Sequence, residues 1–401
     1  MKNKLFSMKN CFKITKQSKI SKARLGNVQT AHGKITTPFF MPDATRAVLK
    51  GLNSADTQKL GLQSMVVNTY HLYLQPGIQL VKKAKGVHNF MNWNKSLLSD
   101  SGGFQVYSLI HKNSKLGRIT DKEVIFKSPL DGSLHKLTPE KSIQIQFDLG
   151  VDMIVCLDDC PPNDLNNKAM ELSIERTVAW AKRCKQEYDK QIKKRKITNN
   201  QPLLFGVIQG GTDLAMRKKC ADALVEIKFD GYGFGARPID SEGKFLDKVL
   251  DYTADLIPKE SLRFGLGIGT PEDIVRCVQL GWDMFDCVIP TREGRHGRLF
   301  LQKRNSKFQI PNSKKISNNK FQNSKRFYET ININNTKFKK DLSPINKDSK
   351  LPELQEYSKA YLHHLFKIKE PLGQRLASLN NLEFYLDLMR KIRQDIKENK
   401  L

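Results

Sequence analysis

The sequence predicts an α/β chain built on a (β/α)8 TIM barrel, with an N-terminal β-hairpin region and a helical C-terminal subdomain. Three observations carry that prediction. From about residue 60 to 290, short apolar runs alternate with amphipathic stretches, the pattern of a parallel sheet with helical crossovers. The runs are nearly continuous in apolar residues, as strands covered on both faces are. They close on Gly, Asp or Gln, and the C-terminal strand ends are where such barrels keep their active sites.

Taken in order, FKITKQSKISKARLG near the N-terminus reads as an opening hairpin. The segment is basic, the first acidic residue being Asp43, but it has no apolar stretch of the kind a secretory signal needs. Barrel-type runs follow at 65–70 (MVVNTY), 96–103 (SLLSDSGG), 153–159 (MIVCLDD), 203–211 (LLFGVIQGG), 231–236 (GYGFGA), 263–269 (RFGLGIG) and 284–290 (MFDCVIP). Between them, 170–191, 212–227 and 271–281 carry helical spacing. Seven or eight such units favour a barrel over a doubly wound sheet, and no G-x-G-x-x-G opens a helix in a dinucleotide-binding context. Residues 1–300 are therefore expected to hold the hairpin and barrel, and 301–330 a basic insertion, mobile or an extended hairpin. Residues 331–401 make the C-terminal helical part. In it, Tyr361, Leu362, Leu365 and Phe366 form a core-facing stripe, while His363 and His364 read as surface or helix-face residues.

Charge is the strongest compositional signal. Lys and Arg number 68 against 41 Asp and Glu, a net +27. Across 301–350 the count is 13 against 3. Lysine-rich codon drift explains part of this, but drift would raise Glu as well. A polyanionic partner explains it better, nucleic acid first, although composition does not separate RNA from DNA or an anionic membrane surface. No apolar run approaches the length of a membrane span. The seven cysteines are odd in number and scattered, which suits a reducing cytoplasm rather than a disulfide framework. Cys156 and Cys160 lack a second pair and read as buried thiols rather than half a metal site.

Several strand tips carry polar groups: Asp100, Asp158, Gln209, Gly235 and Asp286. One such Asp alone is more often a helix cap than a catalyst. Two carboxylates converging on one mouth can do glycosidic chemistry, one attacking the anomeric carbon and the other handling the leaving-group proton.

The words LLSDSGGFQVYSL (97–109), FGVIQGG (205–211), GLGIGTPEDI (265–274) and DMFDCVIPTREGRHG (283–297) resemble the bacterial tRNA-guanine transglycosylase (queuine tRNA-ribosyltransferase) family. GNVQTAHGKITTPFFMP (26–42), NTYHLYLQPG (68–77) and EYSKAYLHHLF (356–366) extend the resemblance over roughly 12–300 and 331–395. It implies Asp286 as the nucleophile at C1′ of the target ribose and Asp100 as general acid/base. It implies base binding by Phe104, Asp158 and Gln209, with main-chain contacts at Ala236 and Arg237. Arg292 and Arg295 match positions that hold tRNA near the anticodon. The implied substrates are tRNA and a 7-deazaguanine base (preQ1) or guanine. The implied assembly is a cytoplasmic homodimer.

Two departures stand out. The family's Gly-Gly-Leu-Ala-Val-Gly-Glu loop is here Gly235-Ala236-Arg237-Pro238-Ile239-Asp240-Ser241, and Pro238 removes one N–H and fixes φ. The family's zinc ligands, three cysteines and a histidine, align with Ser349, Leu351, Leu354 and Asn380. None of the four is a zinc ligand, so no metal or cofactor is expected. The expected activity is exchange of the wobble guanine of G-U-N anticodon tRNAs, by the bacterial rather than the archaeal type, whose extra C-terminal RNA-binding domains find no room here. Two rivals are a non-catalytic tRNA-binding partner subunit and a glycosidase on free carbohydrate. The first has no use for both carboxylates, and the second leaves the charge unexplained.

Overall fold

The computed structural model describes residues 11–163, 165–303 and 327–401, apart from the side chains of 111 and 112. Most of the 301–330 insertion thus lies outside the described residues.

The N-terminal reading holds and gains a strand. β1 (Phe12–Gln17), β2 (Arg24–Thr30) and β3 (Gly33–Thr37) form an antiparallel sheet. Next comes β4 (Phe39–Pro42), a barrel strand outside the alternation read from residue 60 onward. Four residues, FFMP, are too short for periodicity to register, yet all four are buried.

The barrel continues with β5 (Ser64–Asn68) and β6 (Ser96–Asp100). A small antiparallel excursion follows: β7 (Gly117–Ile119), β8 (Val124–Lys127) and β9 (Leu134–Leu137). β10 (Met153–Val155), β11 (Leu203–Ile208), β12 (Gly231–Phe234), β13 (Leu262–Gly265) and β14 (Met284–Cys287) then complete eight parallel strands. Their order is β4-β14-β13-β12-β11-β10-β6-β5. A parallel bridge between Asp43 and Val66, with Ala44 N donating to Val66 O at 2.7 Å, joins the two ends. This is the (β/α)8 barrel.

Alternation along each strand sorts side chains between two cores. Phe39, Met41, Val66, Leu98, Val207, Phe264 and Met284 point into the barrel, where Phe12, Val28 and Ile35 of the N-terminal sheet join them. Phe40, Met65, Val67, Leu97, Ile154 and Phe285 point outward under the helices. Continuing the inward parity past each strand aims Asp43, Asn68, Asp100, Gln209, Gly235 and Asp286 over the barrel axis.

β15 (Arg298–Gln302) and β16 (Tyr328–Asn332) pair antiparallel and flank the undescribed segment. The tail forms helices Pro352–Glu356, Lys359–Lys367 and Pro371–Lys397. The long last helix is fastened to the rim of the barrel. Asn381 Nδ2 donates to Pro290 O and Arg298 O, and Tyr385 Oη donates to Gly269 O at 2.6 Å. Two readings on the helix Lys359–Lys367 need correction, one in the apolar stripe and one beside it. Tyr361 is exposed, and His363 is buried with its Nδ1 2.7 Å from Ile333 O, because the turn after β16 covers that face.

Candidate active site

A cavity of about 380 Å³ opens at the C-terminal mouth of the barrel. Asp100, Phe104, Asp158, Ala236, Arg237 and Asp286 line it, while Gln209 lies beneath, hydrogen-bonded to Asp158. Seven of the nine residues singled out from the sequence therefore meet at one place. Arg292 and Arg295 sit on helix Ile289–Arg295, directly after β14, with Arg292 lining a neighbouring surface cavity.

Asp286 stands at the inward position of β14 and accepts a hydrogen bond from Gly267 N at 2.9 Å. Gly267 has φ +68°, a left-handed conformation that glycine adopts without strain. Burial pushes the Asp286 carboxyl up to about 6, against the opposing pull of the Gly267 N–H. Asp100, at the tip of β6, accepts from Asn68 Nδ2 at 2.5 Å and from the N–H groups of Thr69 and Gly102 at 3.3 and 3.2 Å. Burial, with the nearby charge of Asp286, still raises its carboxyl to about 7. A carboxyl poised there both gives and takes a proton at neutral pH.

At the ends of β10 and β11, Gln209 Nε2 donates to Asp158 Oδ2 at 2.7 Å, while its Oε1 is buried and unpartnered. Gly235 makes room for this amide, since a Cβ there would lie 2.5 Å from Gln209 Cδ. Burial raises Asp158 to about 6. Phe104 lines the cavity and keeps 47% of its surface exposed.

The altered loop is held in a defined shape. Ala236 adopts φ +78°, strained for a residue with a Cβ. Asn163 Nδ2 donates to the carbonyls of Arg237 and Ile239 at 2.9 and 2.8 Å. The Arg237 carbonyl keeps a second lone pair for a ligand.

Three wall residues escaped the sequence reading. Asn68 holds Asp100. Cys160, read as incidental, faces the cavity, with burial pushing its thiol up to about 12. Asp43 extends β4 and lies against Asp286, within hydrogen-bonding reach. The signal was present, for FFMPD is an apolar run ending in Asp, like the strands that were recognised.

The four positions aligned with zinc ligands do not fit the metal. Leu351 and Leu354 are buried in the apolar core. Ser349 Oγ donates to Glu383, and Asn380 Nδ2 donates to Phe300 O at 3.0 Å while its Oδ1 accepts from Asn346. Elsewhere among the described residues, only His32, His88 and Asp152 bring three potential ligands together. They lie at the opposite end of the barrel, where both Asp152 oxygens already accept hydrogen bonds, from the His32 and Leu97 N–H groups.

The family model described as Queuine tRNA-ribosyltransferase matches residues 18–401. The queuine tRNA-ribosyltransferase of Halothermothrix orenii is 41% identical over 381 residues, covering 95% of this chain and 92% of that protein. Those of Rickettsia typhi and Staphylococcus aureus are 39% and 38% identical, over 97% and 96% of this chain and 98% and 92% of their own lengths.

Proposed function

Because the chain belongs to the queuine tRNA-ribosyltransferase family, we propose that it exchanges the wobble guanine of G-U-N anticodon tRNAs for preQ1, 7-aminomethyl-7-deazaguanine. The observation that carries this reading is the meeting, in one cavity, of the carboxyl groups of Asp286 and Asp100 with the Asp158–Gln209 pair.

Asp286, as carboxylate, attacks C1′ of the target ribose, and the C1′–N9 bond breaks. The electron pair leaves with N9 of guanine, which takes a proton from Asp100. The incoming base then returns its N9 proton to Asp100, and N9 displaces Asp286 from C1′. Asp158 accepts from the N1–H and exocyclic amine of the purine, Gln209 donates to O6, and Phe104 stacks on the ring. The nucleotide must leave its stack to reach C1′, which unpaired anticodon bases do at low cost. Arg292 and Arg295 hold the neighbouring phosphates. The working form is a cytoplasmic homodimer, and the zinc of the resembled family is replaced here by apolar packing and the Ser349–Glu383 bond.

The test is incorporation of radiolabelled guanine into unmodified tRNA, repeated with preQ1 as competitor. Incorporation that preQ1 suppresses supports the reading. A chain that binds tRNA but exchanges nothing is instead the non-catalytic partner, the role the altered 235–241 loop would suit.

A further inference from the structure

We infer that Asp43 is a positioning residue for the reaction, holding a proton that it donates in a hydrogen bond to Asp286. The inference rests on the reading of Asp286 as nucleophile.

Four adjacent strands, β14, β4, β5 and β6, each aim a polar side chain over the barrel axis: Asp286, Asp43, Asn68 and Asp100. Asp43 and Asp286 come from neighbouring strands, where Asp286 pairs with Met41 and Cys287 with Pro42. Two residues beyond Met41, Asp43 shares its inward parity, and strands lie about 4.8 Å apart. The two carboxyl groups are within hydrogen-bonding reach. Carboxylates are acceptors only, so such a contact requires one proton between them.

The surroundings decide which residue carries it. Asp286 accepts from the Gly267 N–H, which favours its charged form. Among the described residues Asp43 has no comparable donor, and its Oδ1 is buried without a partner. Charged and titratable groups face Asp43 from three elements. Asp286 and Cys287 come from β14 and Asp100 from β6, while β5 presents the uncharged Asn68. Helix Ile289–Arg295 contributes the cation Arg292. The C-terminal helix contributes Tyr385, which stands behind Cys287. Burial and the two carboxylates outweigh Arg292 and keep Asp43 well above the usual carboxylate range.

This arrangement has a chemical use. A donor on Asp286 favours its carboxylate form at neutral pH, ready to attack. After the ribosyl ester forms, the same donor stabilises Asp286 as it departs, when charge returns to its oxygens.

The experiment compares the parent with Asp43→Asn, which keeps an N–H donor, and Asp43→Val, which has none. First the parent is checked for a denaturation-resistant tRNA adduct, because its absence would refute the nucleophile assignment and not the role of Asp43. The pH dependence of adduct formation is then followed in single turnover. Loss of the donor should move the acidic limb up by about one pH unit in Asp43→Val and leave it in place in Asp43→Asn. Were Asp43 ionised, both substitutions would remove a repelling charge and move the limb down. A slower reaction with both limbs unmoved would mean a merely structural role. The infrared difference spectrum between parent and Asp43→Asn at pH 7 reads the proton directly, even if Asp43→Val fails to fold. A lost carboxylic-acid C=O band is expected, and a lost carboxylate band overturns the inference.

Discussion

Asn68 on β5 and Asp100 on β6 stand in register, and the Asn68 Nδ2 donates to Asp100 Oδ2 at 2.5 Å. The donor favours the charged carboxyl and opposes the burial that lifts Asp100 to about 7. Asn68→Ala therefore raises Asp100 further. If Asp100 acts as acid in adduct formation, as proposed, the basic limb of the single-turnover pH profile should move to higher pH. Asn68 Oδ1 also caps the turn at His71 N, and its loss should cost about 1 kcal/mol of stability, read from a urea melt. A basic limb that stayed in place would remove Asp100 from the acid role.

The undescribed segment 304–326 contains seven Lys and Arg and no Asp or Glu. The strands that flank it are paired, Gln302 opposite Tyr328, so a short Gly-Ser turn should replace it without disturbing the barrel. If its cations neutralise phosphates, the replacement weakens tRNA binding and flattens the plot of log affinity against log salt. An unchanged slope in a filter-binding titration would assign those lysines to codon usage.

Much of this molecule was legible in its residues, and the misses have physical causes. Strand–helix alternation gave the barrel because buried parallel strands leave continuous apolar runs such as LLFGVI. β4 was missed since FFMP is short and follows a hairpin sheet rather than a helix, and Asp43 was lost with it. Inward parity could have recovered Asp43, as it does Asp286 two residues past Met284. Cys160 looked incidental because nothing local shows that the chain turns into the cavity after β10. His363 looked exposed because the carbonyl that covers it, Ile333 O, comes from a distant segment.

At the positions aligned with zinc ligands, the side chains offer a hydroxyl, two alkyl groups and an amide. Leu351 and Leu354 each contribute roughly 1.5–3 kcal/mol by burial, offsetting part of what a structural zinc supplies. Protein purified without chelator should contain no stoichiometric zinc, and chelator should leave its thermal melt unchanged. One zinc per chain retained through dialysis would overturn this.

In the proposed reaction Asp286 forms the covalent bond to ribose. Incubating unmodified tRNA with parent protein, then denaturing and resolving the mixture, tests it most directly. The parent should give a tRNA–protein band. Asp286→Asn should give none and exchange no labelled guanine, while still binding tRNA. An adduct or near-parent exchange by Asp286→Asn would contradict the account and move the nucleophile to Asp100 or Asp43.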